Sequence, residues 1–260
     1  MIGIIEKFTT FLWDNMIAYM LIAVGILYTI RLGLPQILRL PSIFKEAFGD
    51  LFKKGEKKEG EVSSFQALAT AVASQVGTGN IGGVASAIMM GGPGAVFWMW
   101  ISGLLGMSTI FAEAVLAQVY REERNGEQYG GPAYYLSNGL KNKKIGKILA
   151  TLFSIFIIIA LGLVGNMVQS NSISLSLSNG FGIAPIITGI ALAVIVGLIV
   201  LGGVQRISKI AETIVPVMAV IYILAGIVVV IKFHAQFIPV IKAIFTAAFS
   251  SKACLLYTSL

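Results

Sequence analysis

The stretch SQVGTGNIGGVASAIMMGGPGA, residues 74–95, places seven glycines, a glutamine and an asparagine inside an apolar run. Residues 77–82 spell G-x-G-x-x-G, which in a soluble protein marks a dinucleotide-binding turn between a strand and a helix, with an acid about 20 residues later. Here the preceding residues, SSFQALATAVASQ, are rich in alanine and lack strand alternation, and position 102 is a serine. The dinucleotide-binding interpretation therefore fails on its context.

The composition of the chain places this stretch in a membrane. Of 260 residues, 57% are hydrophobic and 12% are charged, whereas soluble domains carry about 25% charged residues. Five or six runs have the length of a membrane-spanning helix: 12–31, 64–90, 94–120, 145–178, 184–203 and 208–232, with the start of another near 239–250. They are too long for barrel strands, so we predict an all-α, polytopic membrane protein.

The basic residues predict the orientation of these helices. The net charge is +7, and the lysines and arginines cluster in alternate connections: seven in residues 31–58, six in 121–147 and two in 206–209. The intervening loops at 91–94 and 179–184 carry none. By the positive-inside rule the basic loops are cytoplasmic. We therefore expect a multi-pass protein of the plasma membrane with its N-terminus outside, and no binding of nucleic acid.

The sequence lacks the residues that several other kinds of protein would need. The single cysteine, Cys254, excludes an internal disulfide, and the single histidine, His234, excludes a histidine-based metal cluster. The first apolar run contains Asp14 and lacks a basic leader, so it is predicted to be a retained helix rather than a signal peptide. The sequence shows no nucleophile–base pair, so we do not expect an enzyme.

The glycine-rich stretch allows two structural interpretations. Small residues four apart let membrane helices approach closely, and two such rows occur: Ala69, Ala73 and Gly77, and Gly79, Gly83 and Ala87. Alternatively the helix breaks, since each glycine disfavours a helix by about 1 kcal/mol relative to alanine. The glycines that would break it are Gly77, Gly79, Gly82 and Gly83. We expect packing at the ends of the stretch and breakage at its centre, where free carbonyls can hold a cation and a half-helix N-terminus can receive a carboxylate.

The fourth apolar run also turns polar inside the membrane. From Ile145 to Ser178 it counts 34 residues, about 50 Å of helix against a hydrocarbon core of about 30 Å. Such a helix must tilt or protrude. Its polar residues are expected to share a face that contacts protein or water: Asn166, Gln169, Ser170 and Ser174.

Five segments together resemble the alanine or glycine:cation (sodium:alanine) symporter family: VGTGNIGGVASAI, GGPGAVFWMW, GMSTIFAEAVLAQVYR, YGGPAYYL and GNMVQSNS, in this order and spacing. The resemblance runs from about residue 10 to about residue 250. It implies sodium- or proton-coupled symport of alanine, glycine or a similar small neutral amino acid, sodium being favoured, with no cofactor beyond the coupling ion. It also implies a LeuT-like fold, with ten core helices in two inverted repeats and an eleventh helix added.

The resemblance also assigns roles to individual residues. VGTGN is similar to the unwound first core helix of LeuT-like transporters, so the backbone carbonyls of Ala73 and Val76 would hold sodium. The substrate's carboxylate and amino groups would lie around four residues: Gln75, Thr78, Gly79 and Asn80. Gln169, in GNMVQ, is similar to the family's substrate-contacting glutamine on the third core helix.

The resemblance predicts the organisation of the chain. Residues 1–63 would form an extra N-terminal helix and a cytoplasmic connection, and residues 64–238 the first five-helix repeat with its broken helix. Residues 239–260 would begin the next segment and end in an anomalous tail, SKACLLYTSL. Because family members are longer, we expect a truncated chain whose partners are a small neutral amino acid, sodium, the bilayer and a missing C-terminal half. The alternative is a non-transporting membrane scaffold or a regulatory half-transporter.

Glu113 is expected to be the only carboxylate well inside a span, and an intramembrane acid is a functional hypothesis by default. It lies eight residues before Arg121, about 12 Å from the end of its helix. Two roles stay open: pairing with a neighbouring Arg, Lys or Ser, or a part in coupling. Trp98 and Trp100 are expected to anchor the chain at the outer membrane boundary.

Overall fold

The computed structural model describes residues 2–52, 64–124 and 127–249, most of them in helices. Four helical stretches are long and apolar enough to cross a membrane, which confirms the prediction of a helical membrane protein. They are Glu6–Arg31, Gly94–Val119, Lys143–Phe181 and Gly203–Lys232. The anomalous tail at 251–260 lies outside the described residues.

Within residues 2–52 and 64–119 the chain forms seven α-helices. They are α1 (Ile2–Leu12), α2 (Ala18–Arg31), α3 (Pro35–Leu38), α4 (Leu40–Phe52), α5 (Ser64–Gln75), α6 (Gly82–Gly91) and α7 (Gly94–Val119). A π-helical segment, Trp13–Ile17, joins α1 to α2, and a 3₁₀ turn, Thr78–Asn80, lies between α5 and α6.

The described residues from 122 to 249 begin with two short strands and continue with six α-helices. These are β1 (Glu122–Arg124), β2 (Glu127–Tyr129), α8 (Pro132–Gly139), α9 (Lys143–Ile157), α10 (Asn166–Phe181), α11 (Pro185–Val200), α12 (Gly203–Lys232) and α13 (His234–Ala247). A second π-helical segment, Ile158–Gly165, makes α9 and α10 one continuous helix of 39 residues.

Two short strands accompany the helices and leave the all-α class unchanged. They pair antiparallel, with Glu122 opposite Tyr129 and Arg124 opposite Glu127. Their sequences, EER and EQY, lack the β-branched residues that are typical of strands, so the sequence pattern did not predict strands here. After β2, Gly131 takes φ +109°, a backbone conformation that glycine adopts readily, and Pro132 starts α8.

The last apolar runs of the sequence have different bounds in the structure. The run at 184–203 forms α11, whose 16 residues make it shorter than the four crossing helices. Helix α12 begins at Gly203, where φ is +71°, so that Arg206 lies inside the helix rather than in a connection. The segment near 239–250 lies in α13, a helix of 14 residues that begins earlier, at His234.

The chain divides into two compact units. One comprises Met1–Leu21, Pro35–Gly103 and Ile190–Leu260, and the other comprises Ile22–Leu34 and Leu104–Gly189, each as far as its residues are described.

In the first unit, small side chains join α5 to α12. Ala69, Ala211 and Val215 form a buried cluster, and Val72 packs against it. In the same unit the indole Nε1 of Trp98 donates a hydrogen bond of 2.7 Å to the carbonyl of Ala248, just after α13. Trp98 therefore satisfies a helix C-terminus, a role that the expectation of an interfacial anchor did not include.

In the second unit, α2 and α7 pack closely at Gly25. A Cβ atom on Gly25 would lie 2.8 Å from the Cβ atom of Leu105, so only glycine fits there. One turn further along, the hydroxyl oxygens of Thr29 and Ser108 lie 2.9 Å apart, with Ser108 fully buried. This pairing satisfies two hydroxyl groups between apolar helices.

Candidate functional site

The glycine-rich stretch contains an interrupted helix. Helix α5 ends at Gln75, and the amide of Val76 makes the last helical hydrogen bond, 2.9 Å to the carbonyl of Val72. Gly77 is extended, with φ −133° and ψ −167°. The 3₁₀ turn follows, and α6 begins at Gly82. The backbone is therefore non-α-helical between the two helices, in a segment that the apolar pattern alone would make continuous.

The side chain of Asn80 closes this interruption. Its Oδ1 accepts a hydrogen bond of 2.9 Å from the amide of Gly77, while the Asn80 amide donates to the Gly77 carbonyl at 3.1 Å. In a continuous helix the Gly77 amide would donate to the carbonyl of Ala73, four residues earlier. The Gly77 amide therefore donates to Oδ1 of Asn80 and not to the Ala73 carbonyl.

The glycines of the stretch fall into two groups. Gly77 and Gly79 lie in the interruption itself, whereas Gly82 and Gly83 form the first turn of α6. A Cβ atom at Gly79, Gly82 or Gly83 would meet no atom within 4 Å. Close packing therefore does not require glycine at these three positions, and the helix-disfavouring effect of glycine is the remaining physical consequence.

The interruption opens beside an apolar cavity of about 320 Å³ in the first unit. Val72, Val76 and Asn80 line one side of it, and Met218 and Tyr222 of α12 line the other. The predicted site residues Gln75, Gly79 and Asn80 are exposed, and Thr78 is half-buried. The cavity has the dimensions of a small-ligand site, and Asn80 contributes an amide to its otherwise largely apolar wall.

Gln169 lies on α10, in the second unit, and is described with that unit. The polar face predicted for this helix occurs in part: Asn166, Ser170 and Ser174, four residues apart, line a cavity of about 510 Å³. Gln169 is not among the lining residues of this cavity. Its predicted contact with substrate remains a prediction.

The π-helical segment at Ile158–Gly165 was not predicted from the sequence. Its eight residues, IIALGLVG, are apolar like any span. Just after it, the Nδ2 of Asn166 donates a hydrogen bond of 3.0 Å to the carbonyl of Gly162. π-Helical turns are rare and occur frequently at functional sites, and this one borders the polar cavity.

Glu113 lies on α7 and is exposed. Within the described ranges it forms no ion pair, and its charge acts on Tyr135 of α8. Burial, together with the negative charge of Glu113 and the presence of Tyr28, raises the pKa of Tyr135 above its ordinary value of 10.0, with burial as the main cause.

A second carboxylate inside a helical span corrects the expectation that Glu113 is alone. Oε2 of Glu212, on α12, accepts a hydrogen bond of 2.6 Å from Nε2 of Gln66 on α5. Glu212 lies nine residues from the start of α12, about 13 Å along the helix. An acid within the apolar run at 208–232 was the signal that could have identified it. The pair ties the helix before the interruption to α12.

Comparison with known proteins finds one family whose sequence model matches nearly the whole chain. The sequence model of the family described as "Sodium:alanine symporter family" matches residues 1–256. The match thus extends into the tail at 251–260, which was expected to depart from the pattern.

Individual relatives are similar over most of the chain. The Sodium/alanine symporter AgcS of Methanococcus maripaludis is 44% identical over 253 residues, 97% of this chain and 55% of that protein. The Amino-acid carrier protein AlsT of Bacillus subtilis is 43% identical over 90% of this chain and 48% of its own length. The transporter YaaJ of Escherichia coli is 39% identical over 92% of this chain. The chain spans about half the length of the curated relatives it matches.

Proposed function

Because the chain belongs to the sodium:alanine symporter family, we propose that it acts in sodium-coupled symport of a small neutral amino acid, alanine or glycine, across the plasma membrane. The observation that carries this proposal is the interrupted helix between Gln75 and Gly82. Non-helical backbone at membrane depth is tolerated where it lines a cavity or is buried in protein. Discontinuous helices are how secondary transporters build sites for substrate and ion.

The sodium ion would bind the carbonyls of Ala73 and Val76 at the end of α5. The amide that a continuous helix would direct to the Ala73 carbonyl, that of Gly77, donates to Asn80 instead. The carbonyls of a last helical turn lack intrahelical donors, and the negative end of the helix dipole favours a cation there. Oxygen ligands suit a hard cation of this kind.

The amino acid would bind around the turn that follows. The N-terminus of α6, at Gly82, offers free amides and a positive dipole end to the substrate carboxylate. Gln75, Thr78, Gly79 and Asn80 would surround the carboxylate and amino groups. Gln169 would add a neutral amide, which avoids the cost of a buried charge. The apolar cavity beside Asn80 would accept a small side chain.

The proposed architecture is the LeuT-like one, with residues 64–238 as the first repeat and residues 1–63 as the preceding helix and connection. The distribution of basic residues supports an outside N-terminus. Sodium rather than proton coupling is supported by the family description and by the lack of a carboxylate in residues 64–95. Glu113 would then have a structural role.

A non-transporting scaffold is not favoured, since the similar proteins are named as symporters, carriers and transporters. The two functions differ in one measurement, the uptake of labelled alanine into proteoliposomes that contain the protein expressed from its full gene. Transport predicts alanine accumulation driven by an inward sodium gradient and its absence with an equal potassium gradient. Equal uptake under both gradients, or none, would overturn the proposal.

The site assignment has its own test in the same assay. Asn80→Ala and Gln169→Ala should each lower sodium-driven uptake, while Ser176→Ala on α10, whose hydroxyl donates to the Ser172 carbonyl, should leave it near the wild-type rate. Undiminished uptake by both site variants would refute the assignment while leaving transport itself intact.

A further inference from the structure

A separate cavity of about 620 Å³ lies in the second unit, between β1, α8 and α9. It has no residue in common with the interrupted helix or with the polar cavity on α10. Its last lining residue, Ile158, is the first residue of the π-helical segment. One end is charged, with Glu122, Arg124 and Lys147 around it. The transport proposal gives this cavity no task.

The wall formed by α9 changes character along its length. Lys147, Thr151, Ile155 and Ile158 follow one another at helical spacing on one face, over 11 residues or about 16 Å. The hydroxyl groups along it bond back to the helix: Thr151 donates to the carbonyl of Lys147 at 2.9 Å and Ser154 to that of Ala150 at 2.9 Å. Beyond Lys147 the wall therefore presents mainly methyl and methylene groups.

The charged end is net positive. Glu122 accepts hydrogen bonds of 2.7 Å from Arg124 and 2.7 Å from Asn138, and these bonds lower the pKa of its carboxyl, which stays ionised. The guanidinium of Arg124 also lies 5.8 Å from the centre of the Tyr134 ring. Lys147 is exposed and has no ion pair among the described residues. Two cations thus face one carboxylate.

The membrane fixes what each end of the cavity contacts. Helix α9 opens the crossing stretch Lys143–Phe181, so Lys147 lies four residues from its start. Its lysines therefore lie near the headgroups, and Ile155 and Ile158, which are 48% and 64% exposed, lie further into the hydrocarbon. A ligand that fills the whole cavity must be anionic at one end and apolar along the rest.

We propose that this cavity binds an anionic phospholipid. The phosphate lies between Lys147 and Arg124, and one acyl chain follows α9 past Thr151 to Ile158. Basic pockets beside membrane helices are suited to such headgroups. The inference requires only that the chain lies in a bilayer, and it does not depend on transport.

Native mass spectrometry of the chain in detergent, titrated with phosphatidylglycerol and in parallel with phosphatidylcholine, tests the charged end. Wild type should bind phosphatidylglycerol more tightly. Lys147→Gln should weaken that binding about fivefold, the effect of one cation at a membrane surface. Lys144→Gln is the matched control, since it removes the same charge from the same helix outside the cavity, and its binding should stay close to wild type.

Two further variants test the apolar end and the sign of the charge. Thr151→Phe fills the groove with every charge retained, and it should also weaken phosphatidylglycerol binding severalfold. Glu122→Gln removes the opposing carboxylate, and it should keep or tighten the binding. Circular dichroism of each variant identifies any that fails to fold, and the remaining variants then decide.

The competing result is a simple anion site. If excess inorganic phosphate displaces phosphatidylglycerol and Thr151→Phe binds it normally, the cavity takes a free anion and the lipid proposal is wrong. Equal binding of both lipids, or equal loss from Lys147→Gln and Lys144→Gln, would overturn it as well. Selective loss from Lys147→Gln and Thr151→Phe supports it.

Discussion

Two of the apolar segments in which the described residues depart from the α-helix do so in different ways. Between α5 and α6 the helix stops, and a 3₁₀ turn with an extended Gly77 separates two helices. At Ile158–Gly165 the helix widens into π-helical turns but continues. In both places an asparagine completes the backbone bonding, Asn80 by accepting from the Gly77 amide and Asn166 by donating to the Gly162 carbonyl.

The glycine content of the two segments explains why one is interrupted and the other only widens. The first segment has four glycines within residues 77–83, and the second has two within eight residues, so the cost of keeping a helix is about 2 kcal/mol greater in the first. An asparagine offers both a donor and an acceptor, so it can satisfy whichever backbone group is freed. Only the interruption frees carbonyls together with a new helix N-terminus, which is what a symport site needs.

The largest expected effect compares the two asparagines. Asn80→Ala leaves the Gly77 amide without its acceptor, and we expect sodium-driven alanine uptake to fall at least about tenfold. Asn166→Ala removes a bond from a helix that continues on both sides, so uptake should change by no more than about threefold. Asn80→Asp keeps an acceptor at the same place and should fold like wild type by circular dichroism. Equal losses of uptake from the two alanine variants would show that Asn80 has no special role at the interruption.

The next effect concerns the glycines. Gly79→Ala should favour a continuous helix by about 1 kcal/mol and lower uptake about fivefold, since its Cβ meets no atom and the change acts on the backbone alone. Gly83→Ala, in the first turn of α6, makes the same chemical change within a helix. It should raise thermal stability and leave uptake unchanged. A Gly83→Ala variant as impaired as Gly79→Ala would show that the site extends into α6.

A smaller effect is expected where α5 is held before its interruption. Gln66→Leu removes the 2.6 Å bond to Glu212, and we expect a loss of about 1 kcal/mol, or a fall in Tm of about 2–4 °C. Glu212→Gln keeps a hydrogen-bond acceptor for Gln66, so its Tm should fall less. Thermal unfolding in detergent measures both, and an unchanged Tm for Gln66→Leu would show that α5 does not need this contact.

The smallest effect separates the interruption from Glu113 as the coupling site. The pKa of Tyr135 is raised, so its neutral phenol is favoured in the folded state; that contribution is complete below pH 10.0 and is lost as the pH rises through the folded value. Glu113→Gln should lower this pKa towards 10.0 without reaching it, because burial is the larger cause. An absorbance titration, with Tyr135→Phe as the reference, measures the change in this pKa.

The same variant tests whether Glu113 is the coupling site. The sodium dependence of alanine uptake should persist in Glu113→Gln, and loss of that dependence would assign coupling to Glu113.

Much of the fold followed from the sequence because glycine and charge act locally. The cluster of glycines with Asn80 marked the interruption, and the apolar runs marked the crossing helices. The bond from Gly77 to Asn80 could not be predicted, since it depends on the turn that forms. The pairing of Gln66 with Glu212 joins residues 146 positions apart, and no local pattern reports such a contact. The π-helical segment is hidden because IIALGLVG has the composition of any span.

Amide hydrogen exchange of the protein in nanodiscs tests whether sodium and alanine bind at the interruption, in three conditions: sodium with alanine, sodium alone, and potassium with alanine. Peptides covering residues 74–85 report on the interruption, and peptides covering 156–167 serve as the control. We expect sodium and alanine together to slow exchange at Gly77–Gly83 more than either alone, while exchange in the π-helical segment changes little. Protection confined to the π-helical segment, or no sodium-dependent change at the interruption, would mean that sodium and alanine do not bind at the interrupted helix.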